Sequence, residues 1–330
     1  MRMSNTVSVI IPVYNGESVL ASAVRDVYAQ DHADIELIAV NDGSSDGSLA
    51  LLKTLASEAP SHVHMKIIDQ QNAGICKARN AGLDAASGEF IAFMDQDDHI
   101  PSGYISRLVS YMGEDTRAVI GGTIDARPSG NSRRDLDPAA PWSIYRNTAP
   151  WGRLFERALL ERHHIRFFDT KISEDFYFNF MYLSCCQRGQ VRVIEQSGYA
   201  WTIDAKSESH SNMSRIASDR DVTVMLGRLL QDMEPISAES ALSQELFEYA
   251  VIKHVVWYLL FVSRGAAKDD VKRVYEHTMT WLRESIPNYR KNPELKLGRP
   301  KGEAFKIRTI VRTCVALDRI GLLKPLLVLM

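Results

Sequence analysis

Phe90-Ile91-Ala92-Phe93-Met94-Asp95-Gln96-Asp97-Asp98 runs from an apolar segment into three carboxylates within four positions. The apolar part reads as a buried strand. Carboxylates this close repel one another unless positive charge sits among them. In open α/β sheets, ligands bind beyond the carboxyl ends of the strands, which is where this cluster falls. Hard cations such as Mg2+ or Mn2+ take oxygen ligands, often one or two carboxylates plus substrate phosphates. The segment alone reads either as a metal–diphosphate site or as a solvated acidic turn.

Working outward, strand-like and helix-like segments alternate. Val7–Val13 is β-branched and almost continuously apolar, the pattern of a strand buried on both faces. Ser18–Gln30 has helical periodicity, with Val19, Leu20, Ala23, Val24 and Val27 on one face. Strands follow at Ile35–Val40, Met65–Asp69 and Val119–Ile124, and helices at Leu49–Ala59, Gly74–Ala86 and Ser102–Met112. Ser45 or Asp46 can cap the second helix. Such alternation implies right-handed crossovers and a mostly parallel sheet. The loops after the strands then meet at one edge. That edge collects Tyr14-Asn15, Asn41-Asp42, Gln71-Asn72 and Asp95–Asp98. Four polar loops at one edge favour a nucleotide-sized site over an acidic turn.

Composition narrows the classes. The chain has 330 residues, 45% hydrophobic and 24% charged, with a net charge of −2. This is ordinary for a globular protein and gives no pull toward nucleic acid. Cys76, Cys185, Cys186 and Cys314 form no CxxC pair and lack zinc spacing, so buried or incidental thiols are expected. The N-terminus lacks a signal-peptide pattern. Tyr249–Val262 is apolar, but Lys253 and His254 interrupt it, which suits a buried helix rather than a membrane span. Neither GxGxxG after the first strand nor GxxxxGK[ST] is present, which argues against dinucleotide dehydrogenases and P-loop enzymes. The loop Tyr14-Asn15-Gly16-Glu17 also lacks the Gly-rich, basic character of nucleotidyltransferases.

With these residues in view, the chain resembles the family 2 glycosyltransferases of the GT-A fold. The matching pieces are Val7–Asn15, Val40–Asp46, Asn72-Ala73-Gly74 with Ala78–Gly82, and Phe93–Asp98. The likeness continues more loosely through Trp151–Phe155 and Ile172–Phe176. It implies a Rossmann-like, mostly parallel sheet flanked by helices over residues 1–215; the pattern of residues 216–330, where the likeness no longer holds, is that of a helical region. It also implies inverting transfer from a nucleotide sugar, with UDP favoured, to a hydroxyl of a glycan or lipid-linked acceptor, as in surface-polysaccharide or glycolipid assembly. Pro12, Tyr14, Asn15, Glu17, Asn41, Asp42, Asn72, Arg79, Asp95, Gln96 and Asp97 would surround the donor. Tyr14 and Asp42 would contact the nucleobase, and Arg79 would sit beside the base or diphosphate. Asp95 and Asp97 would form a DxD motif holding Mn2+ or Mg2+, and Asp175 would be the catalytic base. Asn41 departs from the pattern, since the family often has a second aspartate there. Asparagine keeps an acceptor, adds donors and loses the charge.

The chemistry explains why such residues are wanted. A departing diphosphate gains negative charge, which a divalent cation offsets. The incoming hydroxyl must lose a proton, which a carboxylate within reach accepts. Inversion requires that base to lie across the sugar from the metal, on another segment. Asp175, 78 positions beyond Asp97 (175 − 97), meets that condition. A Glu174-Asp175 pair is also what the dipole of a helix start favours. Two alternatives remain: a donor-binding subunit without catalysis, or a nucleotidyltransferase.

The rest is read from pattern. Residues 126–150 mix Pro, Ser, Gly, Arg and Asp and suggest a mobile loop over the site. Trp142, Tyr145 and Trp151 suit either an acceptor pocket or core packing. The family resemblance, rather than pattern, makes His210 a candidate for holding the diphosphate. His163-His164 is read as a solvated or packed pair. Helices are expected at Val222–Met233, Ser240–Val262 and Asp269–Glu284. The basic tail from Arg290, with interleaved aliphatics, suits peripheral contact with the inner face of a membrane or packing on its own region. A cytoplasmic location is expected.

Overall fold

The computed structural model describes residues 5–203 and 220–330. His210 lies outside them. The N-terminal part begins β1 (Val7–Val13), α1 (Leu20–Tyr28), β2 (Ile35–Asp42), α2 (Ser48–Ser57), β3 (Val63–Gln70), α3 (Ile75–Ala85), β4 (Phe90–Phe93) and α4 (Tyr104–Ser110). It continues with β5 (Ala118–Gly121), β6 (Thr123–Ala126), β7 (Ser132–Arg134), α5 (Ser143–Arg146), β8 (Arg153–Glu156), α6 (Arg157–Arg162), α7 (Glu174–Ser184), β9 (Val191–Ile194) and β10 (Ala200–Thr202). The helical region holds α8 (Val222–Asp232), α9 (Gln244–Val262), α10 (Lys268–Ser285), α11 (Phe305–Arg319) and α12 (Leu323–Leu329).

The main sheet has the order β3-β2-β1-β4-β8-β5-β9. Pairing is parallel except where β8 runs against β4 and β5. The mostly parallel α/β sheet expected from the sequence is thus present. The strand order turns back between β1 and β4, since β2 and β3 lie to one side and β4 to the other. That switch point opens a crevice beyond the strand ends, flanked by Tyr14-Asn15 and Asp95–Asp97.

Each strand of a parallel sheet is buried on both faces, and β1 shows why the run is continuous. Val7, Val9, Ile11 and Val13 pack with α1, α2 and α4, through Leu20, Val24, Leu52, Leu55, Ile105 and Leu108. Ile10 points the other way, toward Ala78 and Leu83 of α3 and Phe178 and Tyr182 of α7. Gly82 lets α3 approach closely, because a Cβ there would lie 2.4 Å from Ile10 Cγ2. Arg79, one turn earlier on α3, is thereby brought to the sheet edge.

Two expectations need correction. Val119–Ile124 is not one strand. It divides into β5 in the main sheet and β6 in a three-stranded sheet ordered β10-β6-β7. At Gly122 a Cβ would meet Glu195 O at 2.2 Å, so the chain changes sheets where only glycine fits. Residues 126–150 are also not simply a loop. They contain β7 and α5, and Trp142 is fully buried, stacked on Tyr145 with ring centroids 5.3 Å apart.

The helical region shares one apolar core with α5 and α7. Trp142, Tyr145, Phe176 and Phe180 pack with Val222, Leu226, Phe247, Ala250 and Val251. α11 buries Val311, Cys314 and Val315 against this region, while Phe305 and Ile320 at its ends are 71% and 66% exposed. Among the described residues no helix is long and apolar enough to cross a membrane.

Candidate active site

Asp95, Gln96 and Asp97 follow directly from β4, and each is held differently. Asp95 N–H donates to Tyr199 Oη at 3.1 Å, and Asp95 Oδ1 accepts from Arg79 Nη2 at 2.9 Å. Gln96 faces back to β1. Its Oε1 accepts from Tyr14 N and its Nε2 donates to Tyr14 O, both at 3.0 Å, like one rung of a ladder. Asp97 makes no ion pair among the described residues. Burial, and then the charge of Asp95, push its carboxyl above the usual range.

Asp98 braces the loop. It is 1% exposed, accepting from Tyr199 Oη at 2.6 Å and from Thr202 N at 2.7 Å. Burial, and then Asp95, raise its pKa to about 8. Trp151 stacks on Tyr199 at 4.9 Å, so this ring supports the brace.

The loops after β1 and β2 interlock. Asn15, with a left-handed backbone at φ 46°, accepts from Ser45 N through Oδ1 at 2.8 Å. Glu17 Oε2 accepts from Gly47 N at 3.0 Å, and Glu17 N donates to Asp46 at 3.1 Å. Pro12 is buried at the end of β1, while Tyr14 is 46% exposed and faces the crevice mouth. Asn41 Nδ2 donates to Asp69 at 2.7 Å, leaving its Oδ1 buried without a partner. Asp42 Oδ1 accepts from Gln70 Nε2 and Ala73 N, and Oδ2 from Gly74 N at 2.8 Å. Asp42 therefore holds the turn that starts α3, beside exposed Asn72.

Asp175 comes to the same place from α7. Arg79 Nη1 donates to it at 2.7 Å and lies 3.8 Å from Glu174. The Arg79 side chain is 3% exposed, and its guanidinium lies 5.2 Å over the Phe167 ring. Arg79 thus bridges Asp95 and Asp175. Burial disfavours its charge, but Asp175, Asp95 and Glu174 outweigh that and keep it protonated. Burial lifts the Asp175 carboxyl above the ordinary carboxylate range, and Arg79 works against the rise. Asp175 remains 28% exposed by side chain, so it can meet a substrate. A carboxylate with raised pKa, facing a crevice, suits proton abstraction.

The donor set also fits a divalent cation. Among the described residues Asp97 makes no ion pair, and Asp95 bonds Arg79 through Oδ1 alone, which leaves its second oxygen to offer. Among the described residues no cluster of three or more His, Cys, Asp or Glu could hold a metal. Two carboxylates completed by phosphate oxygens are the arrangement that Mg2+ and Mn2+ accept.

Some participants carried no sequence signal. Tyr199 reaches Asp95 across 104 positions, without a motif. Arg153, 1% exposed, donates to Asn147 O and leaves Nε and Nη1 without partners. Burial pushes its pKa down to about 9, opposed by the charge of Asp175. In the sequence Arg153 is marked only by its place in Trp151–Phe155, where the family likeness is looser. A cavity of about 210 Å3 lies between α5, α7 and α9, with Trp142, Phe176, Lys253 and His254 in its wall.

The family model described as Glycosyl transferase family 2 matches residues 8–177, from β1 to the first turn of α7. The chain belongs to glycosyl transferase family 2. The family match includes the crevice residues described above except Tyr199 and Thr202. Among curated relatives, putative glycosyltransferase EpsH of Bacillus subtilis is 30% identical over 53% of this chain and 54% of that protein. A GalNAc(5)-diNAcBac-PP-undecaprenol beta-1,3-glucosyltransferase of Campylobacter jejuni is 28% identical over 52% of this chain and 56% of that protein. The chain thus spans about half the length of these relatives. The crystal structure of S. aureus TarS 1-349 superposes with TM-score 0.70 at 18% identity, covering 96% of this chain and 92% of that one. TarS has also been crystallised in complex with UDP-GlcNAc, with the same coverage and TM-score. The likeness in fold to TarS covers the helical region as well as the sheet.

Proposed function

We propose that this chain transfers a sugar, with inversion, from a UDP-sugar to a hydroxyl of a glycan or lipid-linked acceptor of the cell envelope. The observation that carries the reading is Arg79, which joins Asp95 of the strand-end cluster to Asp175 of α7. Family membership supports sugar transfer. The UDP-GlcNAc complex of TarS supports the donor class, and the undecaprenol-linked acceptor in the relative's name supports the acceptor class.

In this reading Tyr14, Asn15, Asn41, Asp42 and Asn72 surround the nucleoside, with Pro12, Glu17 and Gln96 shaping their loops. Asp95 and Asp97 would hold Mn2+ or Mg2+, which would supply Lewis-acid stabilisation of charge on the leaving group. Asp175 accepts the proton of the acceptor hydroxyl as its oxygen bonds to the anomeric carbon from the face opposite the diphosphate. The bond from that carbon to the diphosphate breaks, and its electron pair leaves with the diphosphate. Arg79 orients Asp175 and balances the carboxylates. In the same reading residues 1–215 are the donor and catalytic domain, and 216–330 serve the acceptor, a partner or the membrane surface.

The test is transfer from UDP-sugars with Mn2+, comparing wild type with Asp175→Asn. The reading expects turnover in the wild type and its loss in the variant, with donor binding kept. Donor binding without turnover on any acceptor extract would support the non-catalytic alternative instead.

The same reading has the chain act on the cytoplasmic side, against the inner face of a membrane. Exposed Phe305, Ile320, Leu322 and Leu329 lie among Lys306, Arg308, Arg312 and Arg319, a combination suited to an anionic lipid surface. Flotation of the full chain with anionic vesicles, against a Phe305→Asp/Ile320→Asp variant, checks this. Equal behaviour would sink it.

A further inference from the structure

Ser173 has a left-handed backbone, φ 64°, immediately before Glu174 and Asp175. For a residue with a Cβ this conformation costs on the order of 1 kcal/mol. Something must hold it. Serine is a favoured N-cap because its hydroxyl usually accepts from the first helical turn. Here it makes no cap bond. Its Oγ lies instead 2.7 Å from Nε2 of His254 on α9, 81 positions away.

His254 has a second grip on the same turn. Its ring packs on Phe176, the residue after Asp175, with centroids 4.4 Å apart. Ser173 O accepts from Tyr177 N, so the gripped residue also closes the first turn of α7. Neighbouring α9 residues Ile252 and Val255 are fully buried, so the imidazole stands on a fixed support. Burial, and then the charge of Lys253, hold its pKa down to about 4, so the ring is neutral at ordinary pH. The family match ends at residue 177 and does not include the helix that carries His254.

We propose that His254 is a positioning residue for the catalytic base. Through Ser173 and Phe176 it fixes the turn that aims Asp175 into the crevice, and so makes catalysis depend on the helical region. The proposal rests on the reading of Asp175 as the base. His254 touches no reacting atom. Its contribution is geometric, and a misplacement of about 1 Å can cost roughly a hundredfold in rate.

The test uses the full chain as wild type, His254→Phe, His254→Gln, Ser173→Gly and the double variant His254→Phe/Ser173→Gly. His254→Phe keeps the ring on Phe176 and removes the hydrogen bond. It is expected to lower kcat about tenfold to a hundredfold, with donor KM within about twofold. His254→Gln, whose amide can replace Nε2, recovers most of kcat. Ser173→Gly tolerates the backbone but has no hydroxyl, and falls with His254→Phe. The double variant is no worse than the weaker single one. Amide exchange over 173–178 accelerates in His254→Phe and in Ser173→Gly. Wild-type kcat in both single variants, or effects that simply add, would overturn the proposal. A wild type that binds donor but transfers nothing removes the functional reading, and exchange over 173–178 then decides the positioning role alone. Unchanged exchange in His254→Phe overturns it. Should that variant not fold, Ser173→Gly and His254→Gln carry the same comparison.

Discussion

Arg79 donates to Asp175 at 2.7 Å across 96 positions of sequence, and its other terminal nitrogen holds Asp95. The guanidinium therefore favours the ionised form of the proposed base, against its burial, while fixing its distance from the strand-end cluster.

Removing that charge should show in the pH profile. Asp175 must be ionised to accept a proton, so activity rises with pH through its pKa. Burial raises that pKa and Arg79 lowers it. Arg79→Gln should move the acid limb of kcat upward by about one unit or more. A limb that stays in place would separate Arg79 from the titrating group.

Asp97→Asn keeps the shape of the side chain and removes a metal-binding charge. Transfer should fall roughly a hundredfold, and the thermal stabilisation given by Mn2+ with UDP-sugar should vanish. Wild type in EDTA should fall to a similar level. A variant that still responds to Mn2+ would put the cation elsewhere.

Asp98 carries a pH-dependent cost. Its folded pKa is raised to about 8, whereas an unfolded aspartate titrates near ~4. Below ~4 both states hold the proton and the group is neutral to stability. As pH rises from ~4 toward 8, the unfolded state loses its proton first, so wild-type stability declines. Asp98→Asn has no such titration. Its stability relative to wild type should increase between pH 5 and pH 8 in urea melts.

Gln96→Ala removes both hydrogen bonds to the Tyr14 backbone. The loss corresponds to about 1 kcal/mol. If it falls on donor binding alone, donor KM rises about fivefold with kcat unchanged. A fall in kcat with constant KM would place Gln96 on the reacting side instead.

The sheet was legible because its strands are long apolar runs that need both faces covered, and β1, β2 and β4 were read nearly to their ends. The carboxylates after β4 announced themselves because they break such a run abruptly. Arg79 could be singled out from its motif, but not its bridging role, which depends on α3 approaching at Gly82 and α7 crossing below. Val119–Ile124 misled because Gly121-Gly122 sits inside an apolar run and the change of sheet is a tertiary event. Residues 126–150 misled because Pro, Ser, Gly and Arg surround Trp142 and Tyr145, whose core packing, one of two readings open in the sequence, depends on contact with α9. Tyr199 and His254 act through contacts that no local pattern encodes.

The bond between Glu17 and Gly47 has a consequence for descent. A Cβ at position 47 would come within 2.3 Å of Glu17 Oε1, so any side chain there evicts the carboxylate that joins the two loops. The exposed Glu17 side chain can swing aside, so what such a substitution removes is the bond between the loops. Among relatives that retain this loop arrangement, glycine at 47 should accompany a carboxylate at 17.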